Sequence, residues 1–364
     1  MAEDRPDGAE RRTIVHRVRR AGDDLRHGIA TAGSRTPATP RSVVRGLRAG
    51  SLERVVRGRV VMVTGASSGI GEATALRLGE AGATVILVAR RRDELEAVRD
   101  RIVDAGGTAI AHPCDLTDFD AIDALADAVL AEHGVVDVLV NNAGRSIRRP
   151  IAKSYDRMHD FERTMQINYY APVKLTMALL PTMRHRGRGH VVNVLSEGLL
   201  LHTPKFAAYL ASKAALDEFS RCVAAEVRAD GVRFTGVHMP LVRTPMIAPT
   251  DVYRNVPALR PQEGAELILE GIVTRAYAVT PRTGNGLRAA RAVAPELLES
   301  VIARVAGQGR FDPSRVSGEA TLEGLEASGD DAEGAASTAG ADSVTDVDRA
   351  TDAGRAAGAD RSAV

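Results

Sequence analysis

Arg59-Val60-Val61-Met62-Val63-Thr64 runs directly into Gly65-Ala66-Ser67-Ser68-Gly69-Ile70-Gly71, and a helical pattern follows to Ala81. A short apolar run, a glycine turn and a helix start, in that order, decide the fold. Glycine lets the backbone turn tightly and approach a pyrophosphate, which then rests on the helix N-terminus. The spacing is G-x-x-x-G-x-G rather than the commoner G-x-G-x-x-G. Its place between a strand and a helix is the context that a nucleotide-binding turn requires.

Outward from this turn the pattern repeats. Strand-like runs recur at 84–88, 108–112, 136–140, 190–195 and 233–238, separated by helix-length segments. A charged helical pattern covers 93–104. Thr117-Asp118 caps another helix to about Glu132, whose acids Asp118, Asp120, Asp123 and Asp127 read as a solvated face. Alternation of this kind predicts an α/β, doubly wound Rossmann fold, with about seven parallel strands and helices on both faces. Right-handed crossovers place the ligand crevice at the C-terminal ends of the strands.

The end of the second strand reads on cofactor choice. An acid there would bond a ribose 2′-hydroxyl, whereas arginine accepts a 2′-phosphate. The chain has Ala89-Arg90-Arg91-Arg92 and no acid before Asp93. Arg90 therefore favours NADP(H) over NAD(H). Arg91 joins it as a candidate contact, with a solvated helix-start cluster as the alternative for Arg91 and Arg92. Further on, Tyr209 and Lys213 stand four residues apart, one turn along a helical face. A nearby ammonium stabilises a phenolate, which makes tyrosine a usable general acid/base for carbonyl or alcohol chemistry.

The bulk composition sets limits. The 364 residues are 44% hydrophobic, with a net charge of +1. That charge hides an asymmetry, because residues 1–58 hold 13 Arg against 7 acids and residues 312–364 hold 4 Arg against 12 acids. Residues 1–57 read as an Arg-rich, mostly disordered extension, with a short amphipathic helix in 41–57 that packs on the core or meets anionic lipid or nucleic acid. The packed form is favoured, and no nucleic-acid partner is expected. Residues 58–282 form the catalytic domain, 283–317 a helical extension and 318–364 an acidic disordered tail. No run is long enough for a membrane span, although peripheral contact is left open. Cys114 and Cys222 read as buried free thiols of a cytoplasmic protein, and no Cys/His cluster suggests a metal.

In combination these residues resemble the short-chain dehydrogenase/reductase family. The glycine motif matches 64–71, bringing Gly65, Ser67, Ser68, Gly69, Ile70 and Gly71 to the cofactor. Asn141-Asn142-Ala143-Gly144 matches a second motif, with Asn142, Ala143 and Gly144 as contacts, and Asp115 and Leu116 fall where the family meets the adenine. Asn168, Ser196, Tyr209 and Lys213 match its active-site residues, and Ser196 precedes Tyr209 by the family's thirteen residues. The match covers residues 58–250. It implies that Tyr209 moves the proton and Ser196 polarises the substrate oxygen. Lys213 lowers the Tyr209 pKa and binds the nicotinamide ribose, while Asn168 holds a relay water. It also implies homodimers or homotetramers built on helices near 159–186 and 206–230.

Two departures bear on the site. In Met239-Pro240-Leu241-Val242-Arg243-Thr244, Leu241 replaces a common glycine, although Pro240, Val242 and Thr244 still match as carboxamide contacts. The Asp-Gly-Gly turn that often ends the core is missing. Ala276-Tyr277-Ala278-Val279-Thr280-Pro281 is read as the seventh strand, followed by one apolar-periodic helix over 287–305 that packs on the core, caps a long pocket or lies on a membrane. The segment after Ser196, Glu197 to Phe206, is mostly apolar, with Glu197 and His202 as rim residues and Met246-Ile247 beginning a lid. A hydrophobic carbonyl or alcohol is the expected substrate. Stretches 204–221 and 244–250, with Pro261-Gln262-Glu263, are similar to bacterial reductases of fatty acyl-CoA or fatty aldehyde. A reductase of polyketide- or steroid-like ketones is the alternative. A non-catalytic nucleotide-binding regulator is a further one, against which the intact four residues argue.

Overall fold

A computed structural model of the chain describes residues 51–248 and 253–305. Seven parallel strands are ordered β3-β2-β1-β4-β5-β6-β7. They are β1 (Val60–Thr64), β2 (Thr84–Ala89), β3 (Thr108–Pro113), β4 (Val138–Asn141), β5 (Gly189–Ser196), β6 (Val232–Met239) and β7 (Ala278–Val279). The order reverses between β1 and β4, which opens the crevice above their C-terminal ends.

Alternation along the strands sorts the core into two layers. Val61, Val63, Val85 and Leu87 face one side, with Leu78 of α2 (Gly69–Glu80), Leu95 and Ile102 of α3 (Arg92–Asp104), and Ile268 of α9 (Pro261–Thr274). Met62, Ile86 and Leu139 face the other, with Ile122 of α4 (Phe119–His133) and Leu175, Leu179 and Met183 of α6 (Ala171–His185). Both faces being covered explains why the strands read as continuous apolar runs. The helix α1 (Leu52–Val56) joins the first layer through fully buried Val56. The packed reading of that segment holds for residues 52–56. The expectations for residues 1–50 and 306–364 lie outside the described residues.

Several elements differ from the sequence reading. The long helix near 159–186 is α5 (Met158–Met165) and α6, joined by a π-helical turn, Gln166–Tyr170. After the short α7 (Gly198–Leu201), its partner α8 spans Ala207–Glu226. The seventh strand shrinks to two residues at the sheet edge, because Pro281 ends the extended run and lacks an N–H for further pairing. The single helix expected over 287–305 is two, α10 (Arg282–Val293) and α11 (Pro295–Val305). Pro295 drives Ala294 out of helical geometry, to φ −144 and ψ 67. Cys114 is buried as expected, whereas Cys222 lies exposed, on the solvent side of α8. Among the described residues no helix is long and apolar enough to cross a membrane.

Candidate active site

The glycine turn is held by β4. Thr64 Oγ1 accepts from the Asn142 and Ala143 N–H groups at 3.0 Å each and donates to the Val140 carbonyl at 3.2 Å. Asn142 Nδ2 donates to the Thr64 carbonyl at 2.9 Å, so this side chain braces two strand ends across the switch point. Gly65 has φ +67, and a Cβ there would stand 2.9 Å from Ala143 Cα. At Gly71 a Cβ would collide with the Gly65 carbonyl oxygen. Only glycine fits these two places. Ser68 caps α2 without a side-chain hydrogen bond, which leaves the first N–H groups of the helix free for an anion.

Beside this turn the three arginines differ in their partners. The Arg91 guanidinium donates to Ser67 Oγ and Ser68 Oγ at 3.3 Å each, while also pairing with Glu94 at 2.8 Å. Arg91, set down in sequence as the weaker candidate, is the one bonded to the glycine turn. Arg90 lines the same cleft, and Arg92 pairs with Glu96 at 3.3 Å on the helix surface. The Asp115 carboxylate accepts from Thr117 N at 2.9 Å and Oγ1 at 2.8 Å. The Thr117 N–H chiefly, with the Arg90 charge adding, holds its pKa below the ordinary carboxylate value. Asp115 and buried Leu116 both line the cleft.

The reacting centre lies further along the crevice. Ser196 ends β5; its Oγ accepts from Gly198 N at 3.1 Å, and it lines the cleft together with Tyr209. One turn beyond Tyr209 on α8, buried Lys213 donates through Nζ to the Val194 carbonyl at 2.8 Å. Asn168, fully buried in the π turn, takes the Arg145 N–H at 2.8 Å. Its amide donates to the Arg145 carbonyl at 2.8 Å and to Ser212 Oγ at 2.9 Å. Gly144 is pressed against this group, where a Cβ would be 2.8 Å from Asn168 Oδ1 and 3.5 Å from Lys213 Nζ.

Electrostatics here run against one expectation. Burial raises the Tyr209 phenol above its ordinary pKa, with Tyr253 adding and the Ser196 hydrogen bond only partly opposing. Burial also brings Lys213 down to about 8. In the chain by itself desolvation thus outweighs the lowering of Tyr209 expected from a neighbouring ammonium.

Pro240, Val242 and Thr244 line the cleft, and Val242 bridges to Leu259. Arg243 N donates to the Leu259 carbonyl and Leu259 N to the Leu241 carbonyl, at 2.8 Å each. Leu241 is not among the residues of positive φ, so this loop has no need of glycine there. Glu197 lines the cleft, whereas exposed His202 turns to Arg291 of α10 at 2.6 Å. The whole cleft holds about 940 Å³ and runs from the glycine turn past Ser196 and Tyr209 to Met246, Ile247 and Val256. Sequence reading missed Tyr253, which also lines it. It also missed Arg145 and Arg148, though Arg145-Ser-Ile-Arg-Arg149 after Gly144 was an available signal.

A doubly wound parallel sheet with a glycine turn and a Ser-Tyr-Lys group in one crevice defines a dinucleotide-dependent oxidoreductase. The chain belongs to the short chain dehydrogenase family, whose model matches residues 59–253. It is 50% identical over 242 residues to a fatty acyl-CoA reductase of Acinetobacter baylyi, covering 66% of this chain and 82% of that one. A fatty acyl-CoA reductase of Mycobacterium tuberculosis is 44% identical over 281 residues, covering 77% and 95%. Among solved structures, a metagenomic short-chain oxidoreductase in complex with NADP is 35% identical. It covers 62% of this chain and 97% of its own, with a TM-score of 0.54.

Proposed function

We propose that the protein is an NADP(H)-dependent reductase of a long-chain acyl thioester or the corresponding fatty aldehyde, with Tyr209 as its general acid. The observation that carries this reading is the gathering of Ser196, Tyr209 and Lys213 in the same cleft as the Arg91–Ser67–Ser68 cluster. The two relatives named fatty acyl-CoA reductases support the substrate class, as do Leu201, Phe206, Met246 and Val256 on the cleft wall.

The open N–H groups of α2 and the Arg91 guanidinium fit a phosphorylated dinucleotide, with Asp115, Leu116, Ala143, Val242 and Thr244 along its length. When bound, the reduced nicotinamide supplies hydride to the carbonyl carbon. Ser196 and Tyr209 hydrogen-bond the carbonyl oxygen and fix its position. Tyr209, held neutral by burial, gives that oxygen its proton, and the Lys213 ammonium stabilises the phenolate left behind. A thioester treated this way becomes a thiohemiacetal; breaking its C–S bond yields aldehyde and thiol, and the aldehyde can be reduced again to alcohol. Asn168 holds the loop after β4 against α8, which keeps Gly144 close to Lys213. A further part of the proposal is self-association through α6 and α8, for which exposed Tyr170 and Met177 are candidate contacts.

The test is NADPH oxidation with a panel of acyl-CoAs, fatty aldehydes and ketones, repeated with Tyr209→Phe. Long-chain thioester or aldehyde turnover is expected, falling at least 100-fold in the variant while NADPH still binds. Turnover of ring ketones alone would move the reading to the ketone class, and turnover retained by Tyr209→Phe would remove the proton-transfer role.

A further inference from the structure

The loop from β4 to α5 is strongly basic. Residues 145–157 hold Arg145, Arg148, Arg149, Lys153 and Arg157 against the single acid Asp156. Part of this charge is structural. Buried Asp160 accepts from Arg149 Nε at 2.8 Å and Arg157 Nε at 3.0 Å, and also pairs with Arg163. Burial works against that carboxylate, yet the hydrogen bonds from Arg157, Arg163 and Arg149 hold its pKa well below the ordinary value. Arg149 N donates to the Lys205 carbonyl at 2.7 Å, and the Arg145 backbone is fixed by Asn168. Between these two braces stands Arg148. It is exposed, lines the cleft, and has no acidic partner among the described residues; the Arg145 side chain shares all three properties.

A guanidinium with no acidic partner among the described residues, held on a braced loop at the mouth of a cleft, is suited to receive a phosphate or carboxylate. The dinucleotide's phosphates are already provided for at β1 and β2, whereas this loop leaves β4 on the substrate side. Arg148, Tyr253 and Tyr209 line one and the same cleft.

We propose that Arg148, with Arg145 beside it, anchors the phosphates of a coenzyme A thioester at the cleft mouth. The proposal rests on the reductase reading above and narrows its substrate to the thioester with its nucleotide attached. The pantetheine arm would lead inward from the rim, bringing the thioester carbonyl to Ser196 and Tyr209 with the acyl chain along the apolar wall. Arg148 is then a specificity residue acting at the far end of the substrate.

The experiment compares kcat/KM for palmitoyl-CoA and palmitoyl-pantetheine, which lacks the nucleotide, using NADPH and the full chain. The parent should prefer the CoA thioester. Arg148→Ala should cut that preference about tenfold, chiefly through KM. Arg148→Glu should cut it further and Arg148→Lys should retain part of it. Raised salt should shrink the parent's preference towards that of Arg148→Ala. A preference unmoved by all three substitutions overturns the proposal. So does a parallel loss of NADPH affinity, which would assign the arginine to the cofactor. Loss of binding to anionic vesicles with the preference intact also overturns it, assigning the loop to a lipid surface instead. If neither thioester nor aldehyde is reduced, the reductase reading fails on its own. Calorimetric titration of coenzyme A into the NADP⁺-saturated protein then decides this one: weaker binding by Arg148→Glu supports it, and equal binding overturns it.

Discussion

Tyr209 and Lys213 share a helical face, and the same burial moves their pKa values in opposite directions. The phenol is raised, so at neutral pH it carries its proton, which is the form that reduction consumes. The ammonium is lowered to about 8, so its charge is present at pH 7 and lost just above. In the proposed mechanism the protonated lysine would stabilise the phenolate formed in the transition state, so its loss should slow reduction. The expected kcat profile is flat from about pH 6 to 7.5 and falls about tenfold per unit above pH 8. Steady-state kinetics at saturating NADPH and substrate would check this, and a plateau persisting to pH 9.5 would contradict it. The four candidate residues could be picked out because their motifs are fixed along the chain, and Ser196, Tyr209 and Lys213 line one cleft. The direction of the tyrosine shift was not legible in the sequence, because it depends on how much protein surrounds the phenol. It depends also on Tyr253, 44 residues away in sequence and lining the same cleft.

Elements were legible where a period or a cap is local, and not where a single residue interrupts a period. Both faces of β1 and β2 are apolar, and Asp118 accepts from Asp120 N and Ala121 N as the cap of α4. The break at Pro295 lay in plain view inside an apolar-periodic stretch and was read through. The π turn left no such mark: its extra residue turns Asn168 inward by geometry, with no composition to announce it. Its consequence is measurable. Asn168, itself fully buried, satisfies the N–H and carbonyl of Arg145 and the buried hydroxyl of Ser212. Asn168→Ala should therefore lower stability by about 2 kcal/mol as well as slow turnover, since buried polar groups lose their partners. Urea unfolding monitored by circular dichroism would read the stability change. Turnover lost with an unchanged midpoint would confine Asn168 to the chemistry and sink its bracing role.

At the scale of the whole molecule, the sheet's centre carries a group whose protonation the fold opposes. His190 on β5 is 1% exposed; its Nε2 lies 2.8 Å from Thr235 Oγ1 on β6, and that hydroxyl donates to the Ala276 carbonyl ahead of β7. Burial first, then the charges of Arg275 and Arg233, lower its pKa to about 3. Unfolded, the same imidazole titrates near 6.5. Between these values the unfolded chain binds the proton and the native chain does not. Stability from this group is thus complete above pH 6.5 and is lost as the pH falls towards 3. At pH 5.0 the loss amounts to about 2 kcal/mol, at about 1.4 kcal/mol per pH unit. His190→Gln removes the titration while keeping a polar side chain near Thr235. Whatever the substitution costs at pH 7.5, the parent should lose about 2 kcal/mol more than the variant on going to pH 5.0, because all other titrations cancel in the comparison. Urea unfolding of both proteins at the two pH values supplies the four free energies needed. Parallel losses would mean that His190 is protonated in the folded sheet, and would require a proton acceptor for its Nδ1.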